Sequence, residues 1–494
     1  MWVRSFSRRC RSRSSRTGAA RERNSASSGY LTLDQVIKIR LAAALLLPAL
    51  LLPATVQAGP SADWIKVPGA TAWLVKEPVF GGRIAVYRAG PLDARQAVVL
   101  VHGLGKAAAR DWENLIPELA QRYAVYAVDL PGFGSSDKGN HHYSPDNMAR
   151  VLDAALAPLV GRPFVLIGHS MGGAVAIAYA ATYPQRVNRL VLVDVAGVLH
   201  RSVYAEFLAR AAAQRMVGLD SPWYDSMVRA IQARAEVVPL RGDLVLERAG
   251  VRQRILRGDP NAIAAFALVE HDFSADLHEI GAPTLIIWGG DDSIAPLRTG
   301  QALAATIPLA RLVVLEGLGH APQVEAPGRF NPVLLDELDG RQIPAPPYAL
   351  AIAAIEGERV GRCEGRRGQE FTGDYVRVVL DNCQDAKIEN AHIGYLQSSR
   401  STVRIVNSHV RDGVDARNSR LELNGAVVGG SVVLDASAFD AAGTTFVASP
   451  AIAANEGTEP VVLRFSVSNV SRPGKKPLVL HDIVRLAPGE TLIR

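Results

Sequence analysis

Cysteine is scarce in this chain of 494 residues, which contains only Cys10, Cys363 and Cys383. No cysteine stands directly after the apolar run at residues 41–52, where a lipid anchor would need one, so we do not expect such an anchor. The partner spacing of a metal site is also missing around five histidines: His141, His142, His200, His271 and His278. We therefore predict neither a metal nor a cofactor.

Most of the chain also lacks an excess of positive charge. The net charge is +6, but residues 1–40 contain ten Lys or Arg and two acids, so the remaining chain carries −2. Proteins that bind nucleic acid usually carry a basic patch on the folded domain. We therefore predict no nucleic-acid partner.

The third absence is an apolar run long enough to span a membrane. The apolar run at residues 41–52 is shorter than the roughly 20 residues that a spanning helix needs. Lys38 and Arg40 precede it, and small residues lead to Ala58, which is the layout of a secretory signal. We expect cleavage near Ala58 and an exported protein, periplasmic or secreted, with anchoring by an uncleaved signal as the lesser alternative. A start at Val36 would give an n-region of ordinary length.

A serine stands between glycines directly after a predicted strand. The strand is Phe164–Ile167, and the turn is Gly168-His169-Ser170-Met171-Gly172-Gly173. Such a strand-to-helix turn holds the serine in a strained conformation that lifts its hydroxyl above the sheet, and the glycines allow the chain to pass closely. The small residues at 174–180 predict the helix that follows. Ser170 is therefore a candidate nucleophile.

An acid and a histidine follow the serine in the chain, each after a predicted strand. Thr284–Ile287 leads into Trp288–Asp292, and Leu312–Leu315 leads into Glu316–His320. The order of nucleophile, acid and histidine is the one that a nucleophile-elbow hydrolase requires. His320 is thus a candidate general base, and Asp291 and Asp292 are candidate acids.

Residues of about 65 to 340 resemble the α/β-hydrolase superfamily, specifically its serine esterase-like members. Val101–Gly105 is similar to the family's oxyanion strand end, and Asp129–Ser136 to the turn after the next strand. Gly319-His320 with Glu325–Pro327 is similar to the histidine segment. The resemblance implies an α/β fold with a helical cap inserted at about residues 197–280.

The resemblance also implies roles for particular residues. Its W-G-x-x-D pattern favours Asp292 as the acid that orients His320, with Asp291 as the alternative. The elbow geometry makes the backbone N–H of Met171 one oxyanion donor, and the resemblance makes Leu104 the second.

Three nearby residues receive structural interpretations instead. We expect His102 to brace the oxyanion loop and His169 to pack the elbow. Asp194, at the end of the strand Leu190–Val193, could be a displaced acid, but the downstream pair fits better.

A serine at the elbow argues against epoxide opening and halide displacement, for which family members use aspartate. Hydrolysis of a carboxylic ester or thioester of a small molecule, through an acyl-enzyme on Ser170, is the favoured reaction. Carbon–carbon bond hydrolysis and perhydrolysis on the same triad are alternatives. A third alternative is an envelope- or glycan-binding protein whose hydrolase domain is weak.

The chain changes in character after the hydrolase-like region. Ile343–Pro347 reads as a stiff linker, and from about residue 350 short alternating strands are separated by Asn, Asp, Ser and Gly. A weak repeat relates Ile388–Ile393 to Ile405–Val410 at a spacing of 17. The next coil, Leu421–Gly425, is ambiguous, because its asparagine favours a shift of 17 and its apolar alternation a shift of 18. This predicts a mostly-β domain, a right-handed parallel β-solenoid or alternatively a β-sandwich.

The predicted domains are therefore a leader and signal at 1–58, an α/β-hydrolase domain at 59–342, a proline-rich linker at 343–349 and a β-rich domain at 350–494. The last could contact a glycan or the cell envelope, and His392 and His409 would stack on one of its faces with Asp412 and Asp415, unless they are only solvated turn residues. If the chain is exported, Cys363 and Cys383 form a disulfide worth about 3 kcal/mol, with two buried thiols as the alternative.

Overall fold

The computed structural model describes residues 65–207, 242–340, 355, 357–447, 452–457, 459–472 and 477–492. The predicted leader and signal at 1–58, the predicted linker at 343–349 and the middle of the predicted cap, 208–241, lie outside these residues. Within the described part of the chain, no helix is both long and apolar enough to cross a membrane.

An eight-stranded sheet forms the N-terminal part of the described chain. Its spatial order is β1-β2-β4-β3-β5-β6-β7-β8, in which β1 and β2 are antiparallel to their neighbours and the others are parallel. The strands are β1 (Thr71–Lys76), β2 (Arg83–Ala89), β3 (Ala97–Val101), β4 (Ala124–Val128), β5 (Phe164–His169), β6 (Val187–Val193), β7 (Thr284–Gly289) and β8 (Ala310–Leu315). The central strands are buried on both faces, which is why they read as continuous apolar runs.

Helices connect these strands and cover the sheet. They are α1 (Ile116–Leu119), α2 (Pro145–Leu156), α3 (Met171–Thr182), α4 (Gly242–Glu247), α5 (Ala249–Leu256), α6 (Pro260–Glu270), α7 (Asp276–Glu279), α8 (Leu297–Thr306), α9 (Pro322–Glu325) and α10 (Pro327–Leu338). Residues 201–207 are also helical, and Ala108–Trp112 and Pro184–Arg186 are 3-10 turns. The predicted strands and the predicted helix after Ser170 are confirmed.

Each face of the sheet has its own layer of helices. On one face, Trp112, Leu119, Phe330 and Leu334 pack with the strands in one buried cluster. On the other, α3 is buried along nearly its whole length and packs against α2. Its alanines and glycines let it lie close to the strands. With helices on both faces and parallel strands between them, the loops at the carboxyl ends of the strands meet at the edge of the sheet where α3 begins.

A second sheet contains the strands of the C-terminal part. The first strands are β9 (Val360–Glu364), β10 (Glu370–Asp381), β11 (Ala386–Ser399), β12 (Thr402–Val406), β13 (His409–Arg417), β14 (Arg420–Asn424), β15 (Val427–Val428) and β16 (Ser431–Asp435). The others are β17 (Ala438–Ala442), β18 (Thr445–Phe446), β19 (Ile452–Ala454), β20 (Val461–Ser466), β21 (Ser468–Val470), β22 (Leu478–Leu480) and β23 (Ile483–Leu486). We refer to residues 357–492 as the β region.

Strand pairing in the β region is parallel except at β22 and β23. Ile388 pairs with Ile405, and Ile405 with Leu423. The parallel pairing does not match the antiparallel β-sandwich alternative. A mostly-β region is confirmed, and its closure into a right-handed β-solenoid stays a prediction.

Strand pairing decides the repeat length of the ambiguous coil. Ile405 pairs with Leu423 and Val406 with Asn424, so the spacing is 18, as the apolar alternation indicated. A one-residue bulge lies in the neighbouring pair, where Ile393 on β11 pairs with Val410, a spacing of 17, but Tyr395 pairs with Gly413, a spacing of 18. The strand β13 thus carries one additional residue.

Serine side chains connect successive turns of the β region. The Ser401 Oγ accepts from the Cys383 N–H at 2.9 Å, the Ser419 Oγ from the Ser401 N–H at 3.2 Å, and the Ser437 Oγ from the Ser419 N–H at 3.0 Å. All three serines are buried. This ladder satisfies backbone donors that would otherwise be buried without a partner.

The β region also contains the expected cysteine pair. Cys363 and Cys383 form a disulfide, and both residues lie in the buried apolar cluster of this region. The bond joins β9 to the residues after β10 and closes a short loop of the chain. Its stabilising contribution is about 3 kcal/mol in the chain-entropy account.

Candidate functional site

Ser170 lies at the sharp turn between β5 and α3. Its φ of 53° and ψ of −118° are strained for a residue with a side chain. A Cβ added at Gly168 would lie 2.3 Å from the Gly172 carbonyl oxygen, and one added at Gly172 would lie 2.3 Å from the Val101 carbonyl oxygen. Only glycine fits at these two positions, as the elbow interpretation required.

A chain of hydrogen bonds joins the three candidate catalytic side chains. The Ser170 Oγ lies 2.8 Å from the His320 Nε2, and the His320 Nδ1 lies 2.7 Å from the Asp292 Oδ2. The Asp292 side chain is fully buried, and that of His320 is 16% exposed. In this arrangement the hydroxyl can donate to Nε2 while the Nδ1–H donates to the carboxylate, which fixes the imidazole tautomer.

The loop after β7 decides between the two neighbouring aspartates. The Asp292 Oδ1 accepts the backbone N–H groups of Ile294 at 2.7 Å and Ala295 at 3.0 Å, which leaves Oδ2 for His320. Asp291 is exposed, and its backbone N–H donates to the Leu318 carbonyl. The structure therefore brings Asp292, and not Asp291, to His320.

Asp194 is a second buried carboxyl beside Asp292. It follows β6 with a φ of 42°, it is fully buried, and its Oδ1 accepts the Gly289 N–H at 2.8 Å. One ligand-type atom from each of Asp194, Asp292 and His320 lies within 4.8 Å of the others. Burial, and then the charge of Asp292, raise the pKa of Asp194 to about 10. Asp194 is therefore a neutral acid at pH 7.

The loop after β3 approaches Ser170 from the other side. A Cβ added at Gly103 would lie 3.0 Å from the Ser170 Cβ, so Leu104 follows the point of closest approach. Met171 is the first residue of α3, where a helix has no internal acceptor for its N–H. Both predicted oxyanion donors thus belong to segments adjacent to Ser170.

His102 holds this loop in place, as predicted. Its Nε2 accepts the Leu130 N–H at 3.0 Å, so the proton must sit on Nδ1, which donates to the Gly103 carbonyl at 2.6 Å. The ring thereby ties the loop after β3 to the turn after β4. The neutral imidazole, held by these two hydrogen bonds, keeps the loop in place.

His169 does more than pack the elbow. Its Nε2 lies 2.7 Å from the His320 carbonyl oxygen, so the ring donates to the backbone of the candidate base. Burial, and then the neighbouring His320, lower the pKa of His169 to about 3, so the ring is neutral. This bond could not be predicted from the sequence, because the two residues are 151 positions apart.

Among the described residues, two sets of carboxylates and histidines lie close enough together to be metal ligands. One is the set of Asp194, Asp292 and His320, in which the acid and the base already bond each other. The other joins His271 to Asp276 at 3.4 Å and to Asp146 at 3.9 Å. The sequence spacing of His271 did not indicate this second group, because Asp146 comes from a distant helix.

His392 and His409 of the β region are neighbours, but their rings meet edge to face and not as a stack, and the acid beside them is a different one. His392 and His409 have ring centroids 5.2 Å apart, and the His392 Nδ1 donates to Asp374 at 3.1 Å. Asp412 pairs with Arg411, and Asp415 pairs with Arg417, so neither predicted aspartate is the acid bonded to His392. Asp374 was missed because the pairing of β10 with β11 carries no local sequence signal.

The geometry around Ser170 suits covalent catalysis on a carbonyl carbon. A hydroxyl within hydrogen-bond reach of an imidazole, itself oriented by a buried carboxylate, is the arrangement that activates a serine. The backbone N–H groups on either side can stabilise a developing oxyanion.

Comparison with known proteins gives consistent results. The profile of the alpha/beta hydrolase fold matches residues 96–327. A 2-hydroxy-6-oxononadienedioate/2-hydroxy-6-oxononatrienedioate hydrolase of Cupriavidus pinatubonensis is 33% identical over 253 residues, which cover 49% of this chain and 86% of that protein. A pimeloyl-[acyl-carrier protein] methyl ester esterase of Neisseria meningitidis is 32% identical over 257 residues, which cover 50% of this chain and 95% of that protein.

Among solved structures, a thermophilic esterase from Thermogutta terrifontis is 28% identical, with a TM-score of 0.40, and the match covers 55% of this chain and 98% of that one. The family match covers β3 to β8, the elbow and the histidine segment described above. The chain belongs to the alpha/beta hydrolase family.

Proposed function

We propose that the protein is a serine hydrolase that cleaves a carboxylic ester or thioester through an acyl-enzyme on Ser170. The observation that carries this proposal is the hydrogen-bonded chain from Asp292 through His320 to the Ser170 hydroxyl. The esterase relative, which acts on a methyl ester according to its name, is a second support.

Each residue has a defined part in the proposed reaction. The Ser170 Oγ attacks the carbonyl carbon while the His320 Nε2 takes its proton, and Asp292 stabilises the imidazolium that forms. The N–H groups of Met171 and Leu104 stabilise the oxyanion of the tetrahedral intermediate. His320 then returns the proton to the leaving alcohol or thiol. Water attacks the acyl-enzyme by the same route and regenerates Ser170.

Carbon–carbon bond hydrolysis is the second candidate. The relative from Cupriavidus pinatubonensis, by its name a hydrolase of 2-hydroxy-6-oxo-dienedioates, is as similar to this chain as the esterase relative is. The same three side chains would serve that reaction, because the leaving group is a stabilised carbanion in place of an alkoxide. The two candidates differ in the substrate and not in the site.

Hydrolysis of p-nitrophenyl esters with acyl chains of two to twelve carbons tests the favoured proposal. We expect turnover by the wild-type chain and none by Ser170→Ala, and the dependence on chain length measures the length of the acyl pocket. The substrate 2-hydroxy-6-oxononadienedioate is assayed in parallel. Turnover of that compound alone would replace the ester proposal with the second candidate, and turnover of neither would contradict both.

We also propose that the protein is exported, to the periplasm or the medium. The proposal is supported by the signal-like segment that ends at Ala58 and by the Cys363–Cys383 disulfide, since such bonds persist mainly in oxidising compartments. We expect the mature protein from the native host to begin at Gly59. N-terminal sequencing measures this, and a cytosolic protein that retains residues before Ala58 would contradict export.

A further inference from the structure

Ionic contacts join the β region to two segments of the hydrolase domain. Arg298 on α8 makes two hydrogen bonds to the Asp440 carboxylate, at 2.9 and 3.2 Å. Glu206, on the helical segment 201–207 at the start of the predicted cap, accepts from Arg420 at 2.6 Å. Glu422 lies between the two pairs and is 3.9 Å from Arg298. We call these five residues the junction cluster.

The junction cluster is largely buried, and Arg404, 3.3 Å from Glu422, adds the third positive charge that balances its three carboxylates. The side chains of Asp440 and Glu206 are each 6% exposed, and that of Arg298 is 13% exposed. Burial alone would raise the pKa of Glu422, but Arg298 and Arg404 outweigh it and lower the pKa to about 2. Buried charges of this kind require a closely defined geometry. If one partner is removed, the other charge is left without solvent or a counterion, which destabilises the fold.

Backbone packing at the same place is close. Gly443 has a φ of +55°, and a Cβ added there would lie 2.5 Å from the Ala302 Cα of α8. At the residue before segment 201–207, the His200 N–H donates to the Ser466 Oγ at 2.9 Å. The β region therefore contacts α8 and the start of this segment directly, and the contact of Gly443 with α8 leaves no room for a side chain.

One of the two segments follows the candidate catalytic acid directly. The loop whose N–H groups hold Asp292 ends at Ala295, two residues before α8 begins at Leu297. The other segment, 201–207, carries Tyr204, whose pKa is raised by burial first and then by the charge of Asp292. The loop of Asp292 thus leads into a helix that the junction cluster anchors.

We propose that the β region is the structural support of the acid loop and of the first cap helix. In this account Arg298 and Arg420 are positioning residues, because they act on the site through α8 and through segment 201–207. The hydrolase domain then depends on the β region for the geometry of Asp292. The kinetic part of the test rests on the proposed function, whereas the structural part does not.

Hydrogen exchange in the full chain tests the structural part. We expect Asp440→Asn and Arg420→Met to accelerate amide exchange by about tenfold in α8 and in segment 201–207, respectively, and to leave α2 unchanged. Asp381→Asn is the matched control, because it removes a carboxylate from the exposed Arg400 pair of the same β region. Exchange that is unchanged in both segments, or that rises equally in α2, would overturn the proposal. If Asp440→Asn does not fold, Arg298→Lys replaces it, since lysine keeps the charge but loses the paired hydrogen bonds.

The kinetic part uses whichever ester the wild type cleaves. We expect Asp440→Asn to lower kcat about tenfold with little change in KM, Arg298→Lys to give an intermediate loss, and Asp381→Asn to have no effect. A kcat that is unchanged when exchange in α8 is accelerated would overturn the link to Asp292. A wild type without ester activity would contradict the proposed function and leave the exchange test of the support intact.

Discussion

Replacing Ser170 with alanine is expected to lower kcat for the ester substrate by about a millionfold, because a hydrogen-bonded triad loses nearly all of its effect when one member is removed. The bond between the Ser170 Oγ and the His320 Nε2 is the first link of that chain. The measurement is single-turnover and steady-state hydrolysis by wild type and variant at equal folded concentration.

Ser135→Ala is the matched control for this prediction. Ser135 also lies in a turn after a strand, but its side chain has no contact with His320, and its backbone N–H donates to Asp129. The control should keep nearly the wild-type kcat. Similar losses at Ser135 and Ser170 would contradict the assignment of Ser170 as nucleophile.

Asp292→Asn is expected to lower kcat by about ten-thousandfold, since an asparagine cannot hold the imidazole in the required tautomer or stabilise the imidazolium. The amide would still accept the N–H groups of Ile294 and Ala295, so the loop should keep its shape. Rates for wild type and variant over a range of pH measure the effect. A loss of less than tenfold would show that another group orients His320.

Two neighbouring aspartates provide the comparison. Asp291→Asn changes an exposed residue, and we expect no more than a small effect. Asp194→Asn should retain most of the activity, because Asp194 carries a proton at pH 7 and asparagine can still accept the Gly289 N–H. A collapse of activity in Asp194→Asn with little loss in Asp292→Asn would reassign the acid to the end of β6.

The protonation of Asp194 has its own signature. Its folded pKa, about 10, lies above the ordinary aspartate value, so between about pH 4 and pH 10 the folded protein holds a proton that the unfolded chain releases. Asp194 therefore lowers the free energy of unfolding as pH rises through this window. From pH 5 to pH 9, the Tm of Asp194→Asn should therefore rise relative to the Tm of the wild type.

The elbow and the strands around it could be predicted because their signals are local. Gly168, Ser170 and Gly172 are close in sequence, and each has a conformation or a close contact that few residues permit. The strands before Ser170 and Asp292 are buried on both faces, and continuous apolar runs mark them, whereas the strand before His320 is only partly buried. The order of these motifs was sufficient to place the three candidate side chains near one another.

The contacts between distant segments could not be predicted. The bond from His169 to the His320 carbonyl, the neutral Asp194 beside Asp292 and the acid partner of His392 all depend on which strand ends meet. The repeat length at β14 is a further example, since an ambiguous period of 17 or 18 is resolved only by the actual pairing of Ile405 with Leu423.

The sequence by itself determined the hydrolase-like sheet, the turn at Ser170 and a change to a β-rich chain after residue 350, because each follows from local residue types and their spacing. Only the tertiary structure decided that Asp292 and not Asp291 faces His320, and that Arg298 and Arg420 meet carboxylates across the junction with the β region. The reason is physical: a hydrogen bond needs atoms within about 3 Å, and the folding of distant segments alone brings those atoms together.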